Sequence, residues 1–251
     1  MRWMTALAFV LTSCGTFAAE MTVTAADGYP LKVDYYAGES GRPGVVLLHQ
    51  CNGDRSMYRR LGQAFAEQGI HALALDFRGF GDSASDEFDF AAITAGLSTR
   101  EEMVRAMVPI SRHWPSDVDA ALDFLRERAG EGQPMGVGGA SCGGGQAALL
   151  AMRTELAALM MLSSAVLDED REGQINAISS LPALFIAADD DERPYRGNQE
   201  LFAAARHEQS RMVVYKGDAH GSPLFDQDPT LIDSIVAWFR AQLGPGTSAA
   251  R

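Results

Sequence analysis

Gly139-Ala140-Ser141-Cys142-Gly143 is a G-x-S-x-G segment, placed directly after the strand-like run Met135 to Ala140 and before a glycine-rich helix start. That context gives the spacing a physical reason. A serine carried on so tight a strand-to-helix turn holds strained backbone, and a side chain two residues before or after it would collide with the turn, so both flanks are glycine. Two plainer readings stand beside it: a glycine-rich turn with a solvated serine, and a phosphate-binding loop. The second lacks the G-x-G-x-x-G spacing and an acid at the next strand end.

Working outward, the chain alternates strand-like and helix-like segments. Thr22 to Thr24, the Asp27-Gly28 turn signal and Leu31 to Tyr36 predict a hairpin. Val45-Val46-Leu47-Leu48 has the form of a strand buried on both faces, and Tyr58 to Gln68 has helical spacing at Leu61, Phe65 and Ala66. Further strands are predicted at His71 to Phe77, Leu156 to Leu162, Ala183 to Ala187 and Met212 to Tyr215, with helices at Asp117 to Arg128 and Leu231 to Leu243. Strands separated by helices argue for an α/β class with a doubly wound, mostly parallel sheet behind the N-terminal hairpin. Only Ala84 to Pro115 breaks the alternation. There Ser98-Thr99-Arg100-Glu101 has the capping-box form, predicting one helix whose apolar side is Met103, Met107 and Ile110. Methionines at that spacing are usually core, and lining a substrate cleft is the rarer use.

A nucleophilic serine is nearly inert without a base, so an acid and then a histidine should follow in the chain. Both do. The strand around Leu184-Phe185-Ile186-Ala187 ends in Ala188-Asp189-Asp190-Asp191, and Val213-Val214-Tyr215 leads into Gly217-Asp218-Ala219-His220-Gly221. Each group follows the carboxyl end of a strand, where open α/β sheets place their ligand crevice.

Composition closes off other classes of function. With 47% apolar and 22% charged residues the chain is an ordinary globular protein, and its net charge of −12 is the wrong sign for a nucleic-acid partner. Only Lys32 and Lys216 are lysines, and no basic run offers a local patch. The absence of a C-x-x-C pair and of an H-E-x-x-H run argues against a zinc site, and no metal is expected.

At the N-terminus, Arg2 precedes the apolar run Trp3 to Leu11, and small residues continue to Ala19, the layout of a secretory signal over residues 1–19 that is too short to span a bilayer. Leu11-Thr12-Ser13-Cys14 has the form of a lipoprotein signal with Cys14 as the lipid-bearing residue, while Thr16-Phe17-Ala18 has the form of a signal-peptidase site. Either predicts an exported protein: periplasmic, secreted or lipid-anchored, with a membrane as partner only if Cys14 is lipidated. Residues 20–243 then form the folded domain, and 244–251 read as a flexible tail. Export leaves Cys51 and Cys142 as the remaining thiols in a compartment that permits disulfides.

Taken in order, these segments resemble the α/β-hydrolase superfamily over roughly Met21 to Leu243. Leu47-Leu48-His49-Gln50-Cys51 is similar to the His-Gly-x oxyanion loop, with Gln50 departing from the usual glycine. Asp76-Phe77-Arg78-Gly79-Phe80-Gly81-Asp82-Ser83 is similar to the family's D-x-R-G-x-G-x-S turn. The resemblance implies Ser141 as nucleophile, His220 as base and Asp191 as the acid, from a G-x-x-D-like loop in which Ala188 replaces the glycine; Asp189 is the alternative acid. It further implies an oxyanion hole from the backbone N–H groups of Cys51 and Cys142, no cofactor, and a small-molecule ester as substrate. His49 reads as a structural brace for the oxyanion loop.

The region between Ser163 and Pro182 is too short for the helical lid of lipases, so the site should be open, covered if at all by the 84–115 insertion. That layout is similar to dienelactone-hydrolase-like enzymes, which cleave small esters or lactones with a cysteine nucleophile. Cys142 therefore stays open as an alternative nucleophile, although counting along the strand favours Ser141. Peptidase or amidase work on the same triad and a catalytically silent binding protein of the same fold also remain as readings. If Cys51 and Cys142 both serve the oxyanion hole, their Cα atoms fall roughly 5–7 Å apart, within reach of a disulfide; the alternative is two free thiols packed as small hydrophobes.

Overall fold

A computed structural model describes residues 18–244. Residues 1–17 of the expected signal, with Cys14, and residues 245–251 of the expected 244–251 tail lie outside them, and Ala19 opens the first strand.

Eight strands form one sheet in the order β1-β2-β4-β3-β5-β6-β7-β8. They are β1 (Ala19–Thr24), β2 (Pro30–Tyr36), β3 (Gly44–Leu48), β4 (His71–Leu75), β5 (Met135–Ala140), β6 (Ala158–Leu162), β7 (Ala183–Ala188) and β8 (Arg211–Tyr215). β1 and β2 form an antiparallel hairpin, β2 joins β4 antiparallel, and β3 to β8 run parallel. The sheet is that of the doubly wound class the sequence predicts.

Both faces of β3 to β7 are buried, whereas the edge strand β8 is partly exposed, and consecutive residues feed opposite layers. Val46, Leu48, Leu73, Val137 and Phe185 pack against α4 (Trp114–Ala129), α5 (Cys142–Arg153), α6 (Arg171–Ser179) and α7 (Glu192–Ala204). Val45, Leu47, Ala72, Met160 and Ile186 pack against α1 (Arg59–Glu67), α8 (Pro223–Gln227) and α9 (Leu231–Leu243). Unbroken apolar runs such as Val45 to Leu48 are what two buried faces require.

The 84–115 insertion departs from expectation in two ways. It holds two helices, α2 (Phe90–Thr94) and α3 (Arg100–Ser111), and α4 starts at Trp114, three residues before the predicted Asp117, with proline accommodated in its first turn. The capping box lies one residue further on than the Ser98–Glu101 reading. Thr99 Oγ1 accepts from the Glu102 N–H at 3.2 Å, and Glu102 Oε2 accepts from the Thr99 N–H at 3.1 Å. Both spacings fit S/T-x-x-E; the one that forms carries the second glutamate back to the Thr99 backbone.

Two buried arginines hold the turn after β4. Arg55 pairs with Asp34 at 2.9 Å and with Asp76, whose carboxylate has no exposure, and also meets Asp82 and Glu20. Arg78 bridges Asp27 and Asp117 at 2.6 and 2.8 Å and stacks over Tyr29. Replacing one partner of such a buried pair strands the other charge in a poorly solvated place. Arg55→Ala is accordingly expected to lower unfolding free energy by about 3–5 kcal/mol in urea denaturation, with an unchanged slope.

Candidate active site

β5 runs into α5 through Ser141, which takes φ 50° and ψ −117° at the helix N-cap position. This is backbone that a residue with a Cβ adopts only when its surroundings impose it. Those surroundings are glycine. A Cβ at Gly139 would lie 2.2 Å from the Gly143 carbonyl oxygen, and one at Gly143 would lie 2.1 Å from that of Leu48. The Ser141 N–H donates to the Leu162 carbonyl at 2.9 Å, and its own carbonyl accepts from Ser164 Oγ at 2.6 Å. The turn is pinned from β6 while its helix is pressed against the end of β3.

The candidate acid and base follow β7 and β8, the last two strands of the sheet. Asp191 caps the interval between β7 and α7, and His220 lies in the turn between β8 and α8. His220 Nδ1 stands 2.8 Å from Asp191 Oδ2, with the histidine side chain 36% exposed and the aspartate 15%. A carboxylate accepts only, so Nδ1 carries a proton, and in the neutral ring Nε2 is then the nitrogen with the lone pair. Among the described residues neither Ser141 Oγ nor His220 Nε2 has a hydrogen-bond partner. In unliganded sites that contact commonly tightens only when substrate arrives.

Asp189 is turned elsewhere. It accepts from Lys216 Nζ at 2.6 Å and from the Gly217 N–H at 3.0 Å, bracing the β7 and β8 ends, and the lysine holds its carboxyl below the usual range.

His49 is fully buried between Phe77 and Phe80. Its Nε2 accepts from the Phe77 N–H at 3.1 Å, so Nδ1 donates to the Gln50 carbonyl at 2.7 Å, and burial pushes its pKa down, keeping the ring neutral. The ring ties the loop after β3 to the turn after β4.

Cys51 and Cys142 are joined by a disulfide with a Cα–Cα distance of 5.8 Å. The loop after β3 is thereby fastened to the first residue of α5. Met107 of α3 places its sulfur 3.6 Å from Cys51 Sγ, so the insertion reaches over this bridge. Of the three apolar positions read along α3, Ile110 is buried, Met107 packs at the core margin and Met103 is 37% exposed. The helix is thus less of a core element than its spacing implied. The residues that sequence reasoning missed are Ser163 and Ser164, polar side chains at the end of the apolar run of β6; their position at a strand's carboxyl end was the available signal. Among the described residues no group of three or more histidine, cysteine, aspartate or glutamate side chains could hold a metal ion, and no helix is long and apolar enough to cross a membrane.

Residues 40–180, more than half of the chain, match the family described as serine aminopeptidase, S33, and the chain belongs to that family within the α/β-hydrolase superfamily. No curated protein matches the sequence. Among solved structures it resembles an esterase of Pyrococcus furiosus, with a TM-score of 0.67 and 16% identity over 96% of this chain and 98% of that one. It also resembles a dienelactone hydrolase of Anabaena variabilis, with a TM-score of 0.61 and 16% identity over 90% and 98% of the two chains. The esterase domain of a Rhodothermus marinus protein matches with a TM-score of 0.65 and 16% identity over 90% and 99%. At these identities the likeness is one of fold.

The bridge makes a direct expectation. In denatured protein lacking residues 1–19, alkylation should modify no thiol before reduction and two after it. Closing a separation of 91 residues constrains the unfolded chain by about 4–5 kcal/mol on the chain-entropy model, so reduction should move the urea midpoint downward.

Proposed function

We propose that the protein is an exported serine hydrolase that cleaves a small carboxylic ester, lactone or thioester through Ser141, His220 and Asp191. The observation that carries this reading is the 2.8 Å contact of His220 Nδ1 with Asp191 Oδ2, on the same sheet edge as the strained Ser141 turn. In the reaction, His220 Nε2 takes the hydroxyl proton as Ser141 Oγ attacks the carbonyl, and then gives it to the leaving oxygen or sulfur. Asp191 stabilises the imidazolium formed between these steps. Water then attacks the acyl-serine by the same route, and His220 acts again as base.

Charge on the carbonyl oxygen builds up beside the helix start, where the N–H groups of Cys142 and Cys51 serve as donors; one such donor is worth about 3–4 kcal/mol of transition-state stabilisation in hydrolases of this kind. While it is bonded to Cys51, the Cys142 sulfur offers no thiolate, which favours Ser141 over the dienelactone-hydrolase chemistry. An intact disulfide also suits an oxidising compartment, and so supports export.

The family's description as aminopeptidases favours a second reading, in which the same residues cleave an amide. Aminoacyl anilides run beside short acyl esters separate the two. Turnover of an ester should be abolished in Ser141→Ala, and a fluorophosphonate should acylate Ser141. A label on Cys142, or full activity in Ser141→Ala, would defeat the assignment, and turnover of neither substrate class by wild type would favour a binding protein. Asp191→Asn should lower turnover by about 10⁴-fold, whereas Asp189→Asn removes a solvent-exposed pair with Lys216 and should cost less than tenfold.

A further inference from the structure

Gln50 stands where the family pattern has glycine, and its side chain is only 5% exposed. Its amide oxygen accepts from the Ser222 N–H at 2.9 Å, and its amide nitrogen donates to Asn52 Oδ1 at 2.7 Å. The Ser222 N–H needs an acceptor, which fixes the orientation of the amide. Its backbone carbonyl accepts from the Gly53 N–H at 3.1 Å as well as from His49.

The facing turn is shaped to receive it. Gly221, directly after His220, has φ 73°, and a Cβ there would lie 1.8 Å from Gln50 Oε1. The Gly221 N–H donates to Ser163 Oγ at 2.9 Å. The two amides that follow His220 are therefore both held by side-chain oxygens, one from the end of β3 and one from the end of β6.

We propose that Gln50 is a positioning residue for acyl transfer: through Ser222 it locks the histidine turn to the loop that carries the Cys51 N–H, so that base and oxyanion donor keep one fixed separation. The proposal rests on the serine-hydrolase reading above. The contact with Asp191 fixes one end of the imidazole ring, but the direction of Nε2 also depends on the backbone at residues 220–222. Misplacement by about 1 Å is enough to cost a hundredfold in rate. The Cys51–Cys142 bridge ties the same loop to the serine turn, so Gln50 completes a chain of direct links around the three reacting segments.

The test compares Gln50→Met, which keeps the length of the side chain without an acceptor, with Gln50→Glu, whose carboxyl oxygen accepts the Ser222 N–H in either protonation state. Steady-state hydrolysis of a short acyl ester and the rate of fluorophosphonate labelling at Ser141 are measured together with urea stability. Gln50→Met should lower kcat and the labelling rate by about 10–100-fold with KM within about twofold, and Gln50→Glu should recover most of the loss. If Gln50→Met does not fold, Gln50→Ala removes the same acceptor without adding bulk. Wild-type labelling in the acceptor-free variant, a loss confined to KM, or a Gln50→Glu variant no faster than Gln50→Met would overturn the proposal while leaving Ser141 as nucleophile. A wild-type protein that fluorophosphonate does not label at Ser141 would overturn the hydrolase reading itself, and this proposal with it.

Discussion

Space at Gly143 is the constraint from which the site follows. The first turn of α5 approaches the carbonyl oxygens of Leu48 and His49 so closely that a single methyl group would overlap both. With α5 driven against the end of β3, the turn before it has no relaxed conformation available, and Ser141 is held at positive φ on the rim of the sheet. The same contact brings the loop after β3 beside the helix start. The strained serine turn and the loop beside it thus arise from one steric fact, the packing of backbone on backbone, before any side-chain chemistry is considered.

Around that contact the polar side chains are spent on holding loops rather than on the sheet. His49 fastens the ends of β3 and β4, Ser164 the serine turn, Ser163 and Gln50 the histidine turn, and Lys216 the loops that follow β7 and β8. The inner strands β3 to β7 are buried on both faces. Precision at a strand end needs hydrogen bonds with direction, because dispersion and area burial fix how close two surfaces lie but not which way a ring points.

Much of this was legible in the chain because its signals are local. The alternation of strands and helices, the glycines about Ser141, and the order of serine, acid and histidine all depend on residues near one another in sequence or on their order along it. What escaped depends on distance. Nothing near Gln50 announces a partner 172 residues away at Ser222, and in the insertion two overlapping S/T-x-x-E frames differ only in which glutamate the folded helix turns back. The short helix α2 buries no residue fully, and it is held by the stacking of Phe90 on Phe80. Asp189 and Asp191 are alike in sequence; Lys216, from the neighbouring strand end, tells them apart by claiming the first.

The bridge between Cys51 and Cys142 also changes the connectivity of the molecule. It closes β4, α1 to α4 and β5 into a covalent ring that contains the largely exposed stretch from Ala84 to Thr99, in which Phe88 is buried. A backbone cut in that stretch divides the polypeptide into two fragments, one bearing β1 to β4 and the other β5 to β8. They stay joined beside the serine, at the innermost strands of the sheet, where β3 lies between β4 and β5. A molecule clipped there carries Ser141, Asp191 and His220 on the second fragment, and the bridge keeps the Cys51 loop of the first fragment fastened beside Ser141 as long as the surroundings remain oxidising.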